Sequence, residues 1–353
     1  MSVVSTYNEW DPLEEVIVGS AEGFRFPSWQ EVLTGALPAK SWPTLRASAG
    51  MVFDAELLAG AERELESLCV VLERAGIEVR RPSNHDHSRP FSTPVWSMTS
   101  GLGAAMPRDL VLVAGDEIIE TAPAWRSRYF ETFAYRELFE MYFSRGAHWV
   151  SMPKPTLRSE SYEQKRVVSH DYETLVTQVA ERELTLDAAD CVRCGSDIFV
   201  QRSSVTNRLG IEWLKRHLSR TFKVHEVRFD EAQPMHIDST FLPIAPGKAL
   251  ANPERVREVP PDFRGWEVRY APPPQGYNSH PMHLSSTWIS MNILMINPET
   301  AIVDAEQSDL RSLLKNWGID SIPLPFQHFG TMGGSFHCAT LDIRRNGPIE
   351  SYF

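Results

Sequence analysis

The chain has 353 residues, 42% of them hydrophobic, 23% charged and 10% aromatic, the composition of a folded chain and not of a disordered one. Its 35 basic and 46 acidic residues leave a net charge of −11, which argues against nucleic acid or an anionic membrane as the main partner. No run approaches the roughly 18 apolar residues of a membrane helix, and MSVVSTYNEWDPLEEV has neither the basic nor the apolar region of an export signal, so a cytoplasmic location is expected.

In chain order, one phrase returns five times: a helix-like stretch, a glycine, a short strand, then proline. The copies are LERAGIEVRRP, FSRGAHWVSMPKP, HLSRTFKVHEVRFDEAQP, DFRGWEVRYAPPP and LKNWGIDSIPLP; the third lacks the glycine. Glycine just past a helix adopts the left-handed conformation that side chains resist, and proline closes a strand it cannot extend. Between the returns lie short strands followed by polar turns, in EEVIVGSAEG, DLVLVAGDEI, DIFVQRSS and TAIVDAEQSD. Two of these run on into amphipathic helices, with Ile211, Leu214 and Leu218 on one face of the first. Leu310, Leu313, Leu314 and Trp317 share a face of the second. No stretch reads as a linker, so the expected organisation is α/β, one domain over residues 1–353 built of about five β/α units.

Four cysteines are too few for a disulfide scaffold. Cys191 and Cys194 form a C-x-x-C with no second half of a zinc site, so they read as two small buried hydrophobes. The NHDHSRP stretch brings His85, Asp86 and His87 together, a possible metal cluster that reads more simply as a solvated loop. Cys338, after Gly333-Gly334, stands where a loop delivers a side chain to the start of a strand read over Phe336–Leu341. MHIDSTF (235–241) alternates as a strand that turns His236, Asp238 and Thr240 to one side. His236 reads equally as a satisfied core histidine and Cys338 as a buried structural thiol. LTLDAADCV adds Asp187 and Asp190, either of which can cap the following segment. A cysteine, a histidine and an aspartate are the parts of an activated thiol, provided the fold unites them. Dinucleotide, Walker A, zincin and serine-elbow motifs are absent.

NEWDPLEEVIVG, AMPRDLVLVAGDEIIE, QRSSVTNRLGIEWLKRHL, PMHIDSTF and GGSFHCATLDIRR together resemble the L-arginine amidinotransferases, among them glycine amidinotransferase and inosamine-phosphate amidinotransferase. The resemblance spans essentially the whole chain. It implies a pentein α/β-propeller of five ββαβ modules with pseudo-fivefold symmetry. It also implies ping-pong transfer of the amidino group from L-arginine to a primary amine through an amidino-Cys338 intermediate, with ornithine released and neither cofactor nor metal used. By the same resemblance His236 is the general acid/base and Asp187 its supporting carboxylate, while Asp109, Asp238, Arg255, Ser285 and Ser286 hold arginine. The partners implied are small molecules, arginine and an amine, and a homodimer fits the family.

The chemistry explains these residue types. A guanidinium is planar, cationic and a poor electrophile, so paired carboxylates must hold its carbon over a thiolate. The sequence mixes glycine-type and inosamine-phosphate-type motifs, with Gln233 where glycine amidinotransferase has asparagine, and a Trp- and Pro-rich stretch at Phe24–Met51 stands to reshape the entrance. The acceptor therefore stays open, although 28 Arg against 7 Lys fits a natural-product pathway in a high-GC bacterium. Two other readings remain: an arginine deiminase-like pentein hydrolase, in which water replaces the amine, and an inactive binding module.

Overall fold

The computed structural model describes residues 2–168, 173–231, 233–276 and 285–353. Among them are five three-stranded sheets of one design, in which a central strand pairs antiparallel with one neighbour and parallel with the other. In the first, Leu13–Val18 lies between Thr340–Arg345 and Glu78–Arg80, so the two ends of the chain meet in one sheet. The second joins Val111–Ala114, Glu117–Glu120 and His148–Ser151, and the third Cys191–Cys194, Asp197–Gln201 and Lys223–Val227. The fourth joins Phe241–Ala245, Lys248–Ala251 and Glu267–Tyr270, and the fifth Leu294–Asn297, Thr300–Asp304 and Asp320–Leu324.

The five returns in the sequence are the parallel edge strands of these five sheets. Parallel pairing needs a crossover, and helices Ala55–Arg74, Arg136–Ser144, Arg208–Leu218 and Ser308–Lys315 supply four of them. Each packs its apolar stripe inward: Ile211, Leu214 and Leu218 are buried in the third, and Leu310, Leu314 and Trp317 at the fifth sheet. Gly76, Gly146 and Gly318 end three of these helices with φ of 81°, 98° and 79°. The fourth return differs from its expected form. Its helix-like stretch is a single 3₁₀ turn, Pro261–Phe263, since too few residues separate Pro261 from Gly265 for a longer helix, and Gly265 is not left-handed.

Two loops depart from the strand readings. His236 has φ 56°, and Ile237–Ser239 forms a 3₁₀ turn closed by Thr240 N–H to the Ile237 carbonyl at 2.8 Å, so the strand begins only at Phe241. Phe336–Ala339 likewise precede the strand, which starts at Thr340. Thr340 Oγ1 donates to the Phe336 carbonyl at 2.8 Å and Ala339 N–H to Ser335 at 2.9 Å, coiling the segment before it can extend. In both places alternation was imitated by a tight turn.

A buried charge network ties the sheets together. Arg193 donates to Glu9 at 2.6 and 2.8 Å and to Asp342 at 2.9 Å, while Arg108 reaches Asp342 at 2.6 Å and Glu9 at 3.3 Å. Arg345 completes it, donating to Asp342 at 2.9 Å. Burial alone would raise both acids, yet the surrounding guanidinium groups hold Glu9 and Asp342 well below the usual carboxylate range. Residues 9, 108, 193 and 342 come from four distant parts of the chain. No helix among the described residues is long and apolar enough to cross a membrane.

Candidate active site

A cavity of about 860 Å³ opens among the loops and 3₁₀ turns that precede the sheets' first strands. Cys338, His236, Asp109, Asp238, Arg255, Ser285 and Ser286 all line it. Asp187 stands behind them, 2% exposed and outside the lining. The fold thus brings together all eight residues singled out from the sequence.

Each reactive group is delivered by a turn that holds its backbone. Asp109 sits in the 3₁₀ turn Pro107–Asp109, Asp187 immediately precedes the turn Ala188–Asp190 without capping it through its side chain, and His236 and Asp238 flank Ile237 at the third such turn. His236 is one of two non-glycine residues with positive φ among those described. Such a conformation costs on the order of 1–3 kcal/mol and persists where the surroundings enforce it. Gly333, at φ 97°, turns the chain ahead of Cys338, and a Cβ on Gly334 would lie 3.1 Å from that of Cys338. The Cys338 N–H donates to Asn292 Oδ1 at 2.9 Å, fixing the thiol's backbone.

His236 Nε2 lies 3.4 Å from Asp187 Oδ2, and its Nδ1 lies 3.9 Å from Asp109 Oδ1. Cys338 Sγ approaches Asp238 Oδ2 at 3.8 Å. Burial opposes charge on His236, but the field of Asp109 and the hydrogen bonds it makes with Asp187, which accepts, and with Cys338 outweigh it and hold the imidazole well above its ordinary value. The surroundings therefore favour the imidazolium form. The Cys338 thiol is pushed up to about 12, first by burial and then by the charges of Asp238 and Asp109, so in the empty site it is protonated. Burial also works against Asp238, yet the hydrogen bond from His337 Nδ1 at 2.8 Å and the neighbouring cations keep it below its usual range.

Several polar atoms here have no hydrogen-bond partner among the described residues. Asp109 Oδ1, Asp187 Oδ1, Asp238 Oδ1 and Ser285 Oγ are buried without a hydrogen bond. An orphaned buried acceptor costs about 1–3 kcal/mol, so carboxylate oxygens left open at Asp109 and Asp238 beside the thiol are acceptors awaiting a donor-rich cation. Among the described residues, Asp109, His236 and Cys338 also form the one group of three that could offer metal-ligand atoms, all within 4.8 Å of one another.

Sequence reasoning missed the residues that hold these groups. Arg128, 3% exposed, donates to Asp109 Oδ2 at 2.7 Å and to both Glu131 oxygens at 2.9 Å. Burial pushes Glu131 up to about 7 against the pull of Arg128. Replacing Arg128 by leucine strands two buried carboxylates and is expected to cost about 3–5 kcal/mol of stability, measured by urea unfolding. His337, next to Cys338, links Asp238 to Glu9 and so to the central charge network. Asp190, buried and outside the cavity lining, accepts from Ser203 Oγ at 2.6 Å, and its charge adds to those that raise His236. His87 corrects the solvated-loop reading: it is 8% exposed and burial lowers it to about 4, while Asp86 stays exposed. Cys191 and Cys194 are buried free thiols, as read.

The chain matches no protein-family model. It is 45% identical over 351 residues to an L-arginine:L-lysine amidinotransferase from Pseudomonas savastanoi pv. phaseolicola, covering 99% of this chain and 97% of that one. The chain belongs to the amidinotransferase family. A mitochondrial glycine amidinotransferase from Danio rerio is 44% identical over 358 residues, covering 99% of this chain and 85% of the other. Among solved structures, the amidinotransferase SxtG of the saxitoxin pathway of Microseira wollei superposes with a TM-score of 0.91 at 42% identity, over 99% of this chain and 100% of that one. A DDAH from Pseudomonas aeruginosa, at 15% identity and a TM-score of 0.61 over 94% and 99% of the two chains, shares the fold alone. This amidinotransferase therefore has the mixed α/β architecture seen across pentein-fold enzymes.

Proposed function

We propose that this amidinotransferase moves the amidino group of L-arginine to a primary amine and releases L-ornithine, through a covalent amidino-Cys338 intermediate. The observation that carries the reading is the pair of unpartnered carboxylate oxygens on Asp109 and Asp238 close to a buried thiol, whose sulfur lies within 4.8 Å of Asp109 and 3.8 Å from Asp238. A guanidinium presents donors in one plane, and binding between them neutralises the two charges that, after burial, hold the thiol protonated.

The protons balance without an outside acid. The thiol proton passes to Asp238 Oδ2, 3.8 Å away, as sulfur attacks the guanidinium carbon, and the His236 imidazolium protonates the leaving nitrogen as the carbon–nitrogen bond breaks, so ornithine departs with a neutral side-chain amine. His236 ends the step recharged by the thiol's proton, passed on from Asp238. The amine acceptor then attacks the amidino carbon, the carbon–sulfur bond breaks, and the acceptor's proton returns to sulfur. Asp187 steadies the charged imidazole. Arg255, ion-paired to Glu231 at 2.9 Å and donating to Ser286 Oγ at 2.9 Å, pairs with the α-carboxylate of arginine, and Ser285 Oγ donates beside it.

The five like sheets support a propeller with pseudo-fivefold symmetry, and the charge network joining residues 9, 108, 193 and 342 supports one domain over 1–353. A homodimer goes with this reading as an expectation from the resemblance, and a cytoplasmic location stays the expectation drawn from the sequence.

Product analysis with labelled arginine tests it. Ornithine should appear together with a guanidino compound only when an amine is supplied. Citrulline and ammonia formed in water alone would instead make the protein a hydrolase.

A further inference from the structure

The donor, on the reading above, uses only part of the cavity. The residues assigned to arginine and to catalysis that line the cavity are Asp109, His236, Asp238, Arg255, Ser285, Ser286 and Cys338. Much of the apolar lining comes from one segment. Residues 24–53 contribute eight lining side chains, Phe24, Phe26, Leu37, Leu45 and Phe53 among them, and every one is apolar. Trp125, Phe229, Met235 and Ile289 extend this surface.

The apolar wall is held in place. Gln30 accepts from the Arg126 N–H at 2.8 Å and donates to Ser127 Oγ at 3.2 Å. Thr34 accepts from the Thr177 N–H at 2.8 Å through its hydroxyl and from Gln233 Nε2 at 2.7 Å through its carbonyl. Phe26 and Phe53 stack at 4.0 Å, with Phe24 edge-on to Phe53 at 5.3 Å. Gln233, the departure noted from the sequence, thus fastens this segment to the histidine turn.

Charge narrows the ligand further. Of the three arginines that line the cavity, Arg128 pairs with Asp109 and Glu131 and Arg255 with Glu231, while Arg257 shares the lining with Asp230 and Glu254. Among the described residues, one such arginine in acidic company does not make the cluster of cations that a phosphorylated acceptor calls for. At about 860 Å³ the cavity is near the upper end of those that take drug-sized ligands, and an amino acid leaves the apolar wall unfilled.

We infer that the acceptor is a primary amine carried on an extended apolar body, an alkyl chain or ring system that lies against the wall of residues 24–53. This rests on the amidino-transfer reading and adds the acceptor's class to it.

The test uses the full-length enzyme in two arms. The first forms the amidino-enzyme from labelled arginine alone and follows ornithine release in a single turnover. The second measures kcat/KM for glycine, lysine, a phosphate-bearing aminoalcohol and the linear primary amines from propylamine to octylamine, whose amines are of nearly equal basicity. The expected result is a rise of about fourfold per added methylene, with glycine and the phosphorylated amine at the bottom. Leu37→Asn should shrink the gain from shortest to longest amine by about tenfold. A normal first arm with glycine or lysine outpacing octylamine overturns the apolar acceptor and leaves amidino transfer standing. No ornithine in the first arm overturns both.

Discussion

Cys338→Ala is expected to lower ornithine release from arginine by at least about 10⁴-fold, because it removes the atom that accepts the amidino group. The fold should survive. Cys338 is buried, makes its backbone bond to Asn292 through its own N–H, and forms no disulfide, so alanine should change unfolding free energy by about 1–2 kcal/mol at most. Single-turnover ornithine release beside a urea melt separates lost chemistry from lost structure. A variant that folds and still turns over at the parental rate would mean that sulfur is not the acceptor. The protonated thiol adds a second expectation. With its pKa near 12 in the empty site, Cys338 should react sluggishly with a neutral alkylating amide and much faster with the matching cationic amidine, which cancels the Asp238 and Asp109 charges as it binds.

His236→Asn is expected to slow the same step by about 10²- to 10⁴-fold. Asparagine is the substitution of choice because it tolerates the φ of 56° that most side chains resist, so the turn can keep its shape. In the parent, Asp109, Asp187 and Cys338 raise the imidazole above its ordinary value. The stability this gives is fully present below about pH 6.5, the unfolded value, and is lost as pH rises through the folded one. The parent should therefore lose its stability advantage over His236→Asn on the alkaline side. The alkaline fall in its rate of ornithine release should also disappear from the variant's residual activity. A variant with parental rate and an unchanged alkaline limb would place the acid elsewhere.

Much of the fold was legible because its repeating signal is local. A helix stop, a left-handed glycine, a short strand and a proline are each written in a few adjacent residues, and the five returns became the five parallel edge strands. The fourth crossover was not legible as a 3₁₀ turn because Asp262-Phe263-Arg264 before a glycine imitates the end of a helix, although the stretch after Pro261 has room for only one turn. MHIDSTF misled for a related reason. Polar and apolar residues alternate there because a tight turn aims His236 and Asp238 into one cavity from either side of buried Ile237, and period two does not distinguish that from a strand. The eight site residues came from long motifs and met in space. Their supports did not show, since the links from Arg128 to Asp109 and from His337 to Asp238 and Glu9 depend on side chains meeting across the fold. For His337, adjacency to Cys338 was the one available signal. The buried His87 gave none, because a polar loop sequence does not reveal what packs over it.

Amidino transfer through sulfur is tested most directly by quenching the enzyme with carbon-labelled arginine in the absence of any amine and locating the label by peptide mass analysis. One labelled amidino group per chain, on the peptide carrying Cys338, with an equal amount of ornithine and discharge of the label on adding an amine, is the expected result. Ornithine formed only after both substrates are present, with no label on Cys338 at any time, would contradict the covalent route and require direct transfer between the two bound substrates.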